Sequence, residues 1–174
     1  MFPYLILFFC LLVMGVVIIF EGSQIASLFF GAPFVPTPRK IVQKMIALAH
    51  IGPDDIAIDL GSGDGRVTMA AAEAGARRAL GFEIQPLLVL YSQWKARRKG
   101  LRGRAIFING SFWKTDLSKV TVVFLYQLPN VMEKLEQKLL RELPSGARVI
   151  SHGFVFKTWQ PEKTDGKVRL YRKR

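Results

Sequence analysis

Residues 57–69 read AIDLGSGDGRVTM. An apolar run closes on the carboxylate of Asp59, and glycines then stand at 61, 63 and 65 before helix-forming residues resume. Glycine lets a backbone turn sharply and approach a ligand with no Cβ between them. A helix starting there leaves its first N–H groups free for a ligand. A strand, a bare turn and a helix in that order imply a layered α/β domain with its ligand beyond the strand carboxyl ends.

The rest of the pattern agrees. Strands are expected over 56–60, 79–83, 104–108, 121–126, 147–151 and 167–173, with helices over 39–50, 65–75, 86–100 and 129–143. Pro86 suits a helix start, and Gly75 and Gly100 suit helix ends. GPDD (52–55) reads as a turn, and Ile41, Met45, Leu48 and Ala49 form the apolar stripe of the helix before it. The strands are short and apolar without strict alternation, which points to burial on both faces. The expected fold is a Rossmann-like parallel sheet with helices on both faces.

The N-terminus is different. Residues 2–20 carry no charge, and all 25 Lys and Arg residues lie beyond residue 38, against 12 of the 13 acids. At about 1.5 Å per residue such a run nearly spans a hydrocarbon core of about 30 Å. A cleaved signal peptide would carry a basic start and a small-residue cleavage site, and neither is present. One N-terminal transmembrane helix is expected, giving an anchor over 1–30, a Pro-rich linker or pocket strip over 31–38 and a catalytic domain over 39–174. Arg39, Lys40 and Lys44 follow the span and none precedes it, which places a single-pass protein's domain on the cytoplasmic side, facing anionic lipid. The single cysteine, Cys10, forms no internal disulfide, and with His50 and His152 it makes no convincing metal site.

Three ligand classes part at the glycine loop. A dinucleotide fingerprint needs a sixth-position glycine where Arg66 stands, and a P-loop needs Gly-Lys-Ser/Thr. A calcium loop needs a late acid where Ala70 stands. The remaining pattern, DLGSGDG between strand and helix with Glu83 ending the second strand, resembles the first motifs of class I S-adenosylmethionine-dependent methyltransferases. The resemblance implies S-adenosylmethionine as cofactor, with Gly61, Ser62, Gly63 and Gly65 in its loop and Asp59 orienting the amino group. It implies that Glu83 holds the ribose hydroxyls. Ser111, where many relatives carry an acid, and Phe112 would stand at the adenine. Asp64 suits a helix cap.

At whole-chain scale, PFVPTP, DLGSGDGR, GFEIQP, FLYQLPNVM and ISHGF after an apolar leader resemble one small family. These are the membrane-anchored protein-lysine methyltransferases of the ATP synthase c-subunit and adenine nucleotide translocase, with prokaryotic relatives. That likeness implies a lysine ε-amine of a membrane protein as acceptor. Tyr126 either orients the neutral amine, as the candidate catalytic residue, or packs at the strand end. PFVPTP either folds over the pocket with Thr37 at the methionine end, or only spaces the domain from the membrane. Trp159 and Pro161 either shape the acceptor channel or pack a late loop.

The dense cations from Arg77 to Arg104 and from Arg169 to Arg174 also suit a polyanion. An RNA methyltransferase is therefore the alternative, with nucleic acid as partner. LYQLPN (125–130) lacks the paired prolines of many enzymes that methylate base amines, and no RNA-binding domain is added. A second alternative is a non-catalytic, membrane-tethered module that binds the cofactor.

Overall fold

The computed structural model of the chain describes residues 2–30 and 34–174. In chain order the elements are α1 (Phe2–Phe30), α2 (Arg39–Ala49), β1 (Ile56–Leu60), α3 (Arg66–Glu73), β2 (Arg78–Glu83), α4 (Pro86–Arg98), β3 (Ala105–Asn109), β4 (Val122–Leu125), α5 (Pro129–Glu142), β5 (Arg148–His152), β6 (Lys163–Asp165) and β7 (Val168–Arg172). A short 3-10 turn, Phe112–Lys114, follows β3.

The strands form one sheet in the order β3-β2-β1-β4-β5-β7-β6. β1 to β5 run parallel, and β7 returns antiparallel between β5 and β6. The chain crosses from β3 at one edge to β4 beside β1, so the topological switch lies between β1 and β4.

Side chains alternate across the sheet with the period of two that a strand imposes. Ala57, Val122, Phe124 and Ile150 face one layer with Val42, Met45 and Leu48 of α2, Val67 and Met69 of α3, and Val89 and Ala96 of α4. Ile58, Leu60, Val123, Leu125 and Val149 face the other, against Met132, Leu135 and Leu139 of α5 and the ring of Tyr171. Full burial of such an aliphatic side chain is worth about 1.5–3 kcal/mol. β1 and β4 are covered on both sides and hold the central turn rigidly.

Three local expectations shift. Val42 joins Met45, Leu48 and Ala49 in the core, while Ile41 is only partly buried at its flank. The helix begins at Arg39, with the N–H groups of Ile41 and Val42 both donating to the Pro38 carbonyl, and that phase turns Val42 inward. β6 had no sequence signal, because KTD is a short, polar edge strand. With it, residues beyond 153 complete an antiparallel pair.

α1 carries the apolar leader. Its described large side chains from Tyr4 to Ile18 are 44–76% exposed. Among the described residues no helix is long and apolar enough to cross a membrane. Of the strip over 31–38, residues 31–33 lie outside the described residues.

Candidate functional site

The glycine turn leaves β1 and is fastened to β2 at once. The N–H groups of Gly61 and Ser62 both donate to the Phe82 carbonyl, at 3.0 and 2.8 Å. Gly61, Gly63 and Gly65 all have positive φ, at 92°, 53° and 75°. Each also gives room to a neighbour. A Cβ on Gly61 would lie 2.8 Å from Gln127 Nε2, and one on Gly65 would lie 2.6 Å from the Phe107 ring and 2.9 Å from Ser92 Cβ. A Cβ on Gly63 would meet the Phe34 ring at 2.5 Å.

Glu83 ends β2 and grips the same turn. Its Oε2 accepts the Gly63 N–H at 2.9 Å, and its Oε1 accepts the Gln85 N–H at 2.9 Å. A carboxylate has about four acceptor positions, so each oxygen keeps capacity for a hydroxyl. Asp59, buried at the end of β1, accepts from Thr68 Oγ1 at 3.1 Å. Loss of water around it, reinforced by the charges of Glu83 and Asp64, raises its carboxyl from 3.8 to about 7, against the pull of Thr68.

Gly65 holds the N-cap position of α3, and Asp64, one residue before it, accepts the N–H of Arg66 through Oδ1 at 3.4 Å. It pairs with Arg66 at 2.8 Å and Lys95 at 3.2 Å. Burial works to raise its pKa, but those two cations hold it below the usual value. Arg66 also donates to the Thr37 carbonyl at 2.7 Å, tying the strip before α2 to the glycine turn.

These groups surround a cavity of about 180 Å³ at the carboxyl ends of β1, β2 and β4. Asp59, Gly61, Ser62, Gly63, Glu83, Phe112, Tyr126 and Thr37 line it. Gly65 does not, since it serves the packing of α3 against Phe107. Ser111 does not either, since its hydroxyl accepts the Trp113 N–H and starts the 3-10 turn. Of the two readings of the strip, folding over the pocket is the one the geometry matches: Phe34, Val35, Pro36 and Thr37 all form its wall.

Four further wall residues are not singled out in the sequence reading, although Phe34 lies in the PFVPTP strip. Phe34 covers Gly63, Phe154 and Gln85 complete the wall, and Gln127 follows Tyr126 over Gly61. Only Gln127 had an available signal, its place just after the fourth strand. Gln127 Nε2 donates to the Leu60 carbonyl, which fixes the amide, and its Oε1 is buried without a protein partner, as is Ser62 Oγ. Two orphaned polar atoms on one wall suit a ligand rich in donors and acceptors. Tyr126 packs on His152, ring centroids 4.4 Å apart, and Gly153 leaves it room. Burial, helped by Lys167, lowers the His152 pKa and favours the neutral ring. Trp159 lies away from the cavity, against Phe156 and Tyr171, so it packs the late loop.

The family described as the ANTKMT methyltransferase domain matches residues 59–163. A protein-lysine N-methyltransferase of Saccharolobus islandicus (strain REY15A) is 40% identical over 75% of this chain and 82% of its own length. The lysine N-methyltransferase of the ATP synthase c-subunit from Rattus norvegicus is 40% identical over 77% of this chain, which spans 61% of that protein. Among solved structures, one described as an RNA methyltransferase from Salinibacter ruber in complex with S-adenosyl-L-homocysteine superposes with a TM-score of 0.74 at 39% identity, covering 80% of this chain and 92% of that one.

Proposed function

The chain belongs to the ANTKMT methyltransferase family, and we propose that it methylates a lysine ε-amine of a membrane protein. It is an S-adenosylmethionine-dependent protein-lysine N-methyltransferase. The observation that carries this is the similarity to the archaeal lysine enzyme, which extends over most of both chains.

The residues present fit the cofactor. Asp59 and Ser62 line the cavity and would meet the methionine amino and carboxyl end, and Glu83 has acceptor capacity for ribose hydroxyls. Phe112 would cover the adenine, and Thr37 would close the methionine end. When bound, S-adenosylmethionine supplies an electrophilic methyl group on a sulfonium. The chain's task is to align an amine with that methyl and to favour its neutral form.

A lysine must shed its proton before it can attack. Phe34, Phe112 and Phe154 make a wall of low polarity, and desolvation lowers an amine's pKa. Tyr126, buttressed by His152, faces the cavity and orients the amine through its hydroxyl or ring. α1 would serve as a single-pass anchor, with the basic domain on the cytoplasmic face against anionic lipid.

Methylation of RNA is the second reading, favoured by the likeness to the Salinibacter ruber protein, described as an RNA methyltransferase. Labelled methyl transfer separates the two. The expected result is label in protease-sensitive lysine of native membranes, lost with Glu83→Ala and weakened with Tyr126→Phe. Label confined to nuclease-sensitive material would overturn the lysine assignment.

A further inference from the structure

Outside α1, the large apolar side chains left exposed among the described residues are Val35, Leu87, Leu90, Tyr91, Trp94 and Val155. Val35 sits in the strip that walls the cavity, Val155 follows Phe154 of the wall, and Leu87 lies two residues beyond Gln85 of the wall. Val35 is thus part of the cavity wall and half exposed, and Leu87 and Val155 are exposed residues that follow wall residues closely along the chain.

On α4 the pattern continues. Leu87, Leu90, Tyr91 and Trp94 recur at spacings of three and four, which places them in one stripe. They are 44, 61, 46 and 51% exposed. α4 contains no acid, and Lys95, Arg97 and Arg98 close it. The Tyr91 and Trp94 rings stack at 5.9 Å, with the Lys95 ammonium 5.0 Å over Tyr91 and the Arg98 guanidinium 5.1 Å over Trp94. Arg39, Arg66 and Lys99 line the groove alongside together with Asp64, which pairs with Arg66 and Lys95, and Lys99 pairs with Glu73.

Apolar side chains, amphipathic aromatic rings and cations on flexible stems are the combination that settles at the headgroup boundary of a bilayer. An RNA surface would use the cations and the rings, but it gives no role to Val35, Leu87, Leu90 and Val155. We propose that the cavity rim and the outer stripe of α4 form one docking face for an anionic bilayer. Leu87, Leu90, Tyr91 and Trp94 enter the headgroup layer, and Arg97 and Arg98 meet lipid phosphates, while Lys95 stays with Asp64. The cavity then opens at the membrane surface. The purpose of that orientation rests on the membrane-protein acceptor proposed above; the lipid contact itself does not.

The test uses the full chain and no acceptor, so the two ideas fail separately. Cys10→Ser removes the single thiol, and Leu90→Cys or Val155→Cys then carries a nitroxide. Gln137→Cys, exposed on α5 in the other layer, is the reference. The protein is reconstituted in discs of phosphatidylcholine with or without a minority of phosphatidylglycerol. In the anionic discs, labels at 90 and 155 are expected to lose most of their relaxation by a water-soluble nickel chelate and to gain relaxation by oxygen. The label at 137 should not change. Without labels, brominated phosphatidylglycerol should quench a fluorescence component that Trp94→Phe removes. Labels at 90 and 155 as open to chelate as the one at 137 would overturn the proposal. So would protection that arises only when RNA is added.

Discussion

The ring of Phe34 lies where a side chain on Gly63 would begin, with Cε2 2.5 Å from that Cβ position. Two residues 29 apart in sequence thus share one small volume at the wall of the cavity. Gly63→Ala is expected to cost about 1–2 kcal/mol for its left-handed backbone alone, plus the displacement of Phe34. In a Phe34→Ala background the added cost should fall to the backbone component. Thermal unfolding of the four proteins measures it; additive effects would mean that the ring moves aside freely.

Asp59 ties the pocket to pH. Its carboxyl is raised from 3.8 to about 7, so between those values the native state binds more protons than the unfolded one. Stability without cofactor should therefore decline as pH rises through that window. A cationic ligand favours the ionised form, so cofactor affinity should increase from about pH 6 to about pH 8 with release of a proton. Calorimetry in buffers of different ionisation enthalpy detects that proton, and Asp59→Asn should abolish it.

Glu83 joins the glycine turn to the start of α4 through two backbone N–H groups. Glu83→Gln can satisfy one of them with its oxygen and must oppose the other with its own NH₂. A stability loss of about 1–3 kcal/mol follows from the unpaired donor. Binding of S-adenosylhomocysteine should weaken further, because the proposed ribose partner is altered as well. Melting and titration on the same variant separate the two effects.

Glu136 holds the late loop. It accepts from the N–H groups of Lys157, Thr158 and Trp159 and from the Thr158 hydroxyl. Burial works to raise its pKa, yet those hydrogen bonds outweigh burial and hold it below 4.5. A depressed folded pKa gives stability above the unfolded value that is lost as pH falls through the folded one. Glu136→Gln should be clearly destabilised at about pH 7 in thermal unfolding, and the gap from wild type should narrow below about pH 4.5.

The sheet was legible because its signals are local. Apolar runs of four to six residues, closed by glycine or proline, located the β1 to β5 and β7 strands within two residues at each end. β6 was hidden because a short edge strand needs no apolar side chain. Around the cavity, Asp59, Gly61, Gly63 and Glu83 announced themselves by type and spacing. Phe34 and Gln127 did not, since only the folded chain brings them over Gly63 and Gly61. Gly65 and Ser111 look like loop residues of the site, yet packing and a turn account for them. The leader's lack of charge was plain from the sequence, and the exposed stripe of α4 was not. Which face of a helix is left uncovered depends on neighbours distant in sequence.

The place of β7 has a consequence for synthesis. β6 leaves the ribosome before β7, yet among the strands it pairs only with β7. The parallel strands can assemble in the order they emerge, but β6 must wait for the strand that follows it. The far edge of the sheet therefore closes in one late step, after the residues of the cavity have all been made.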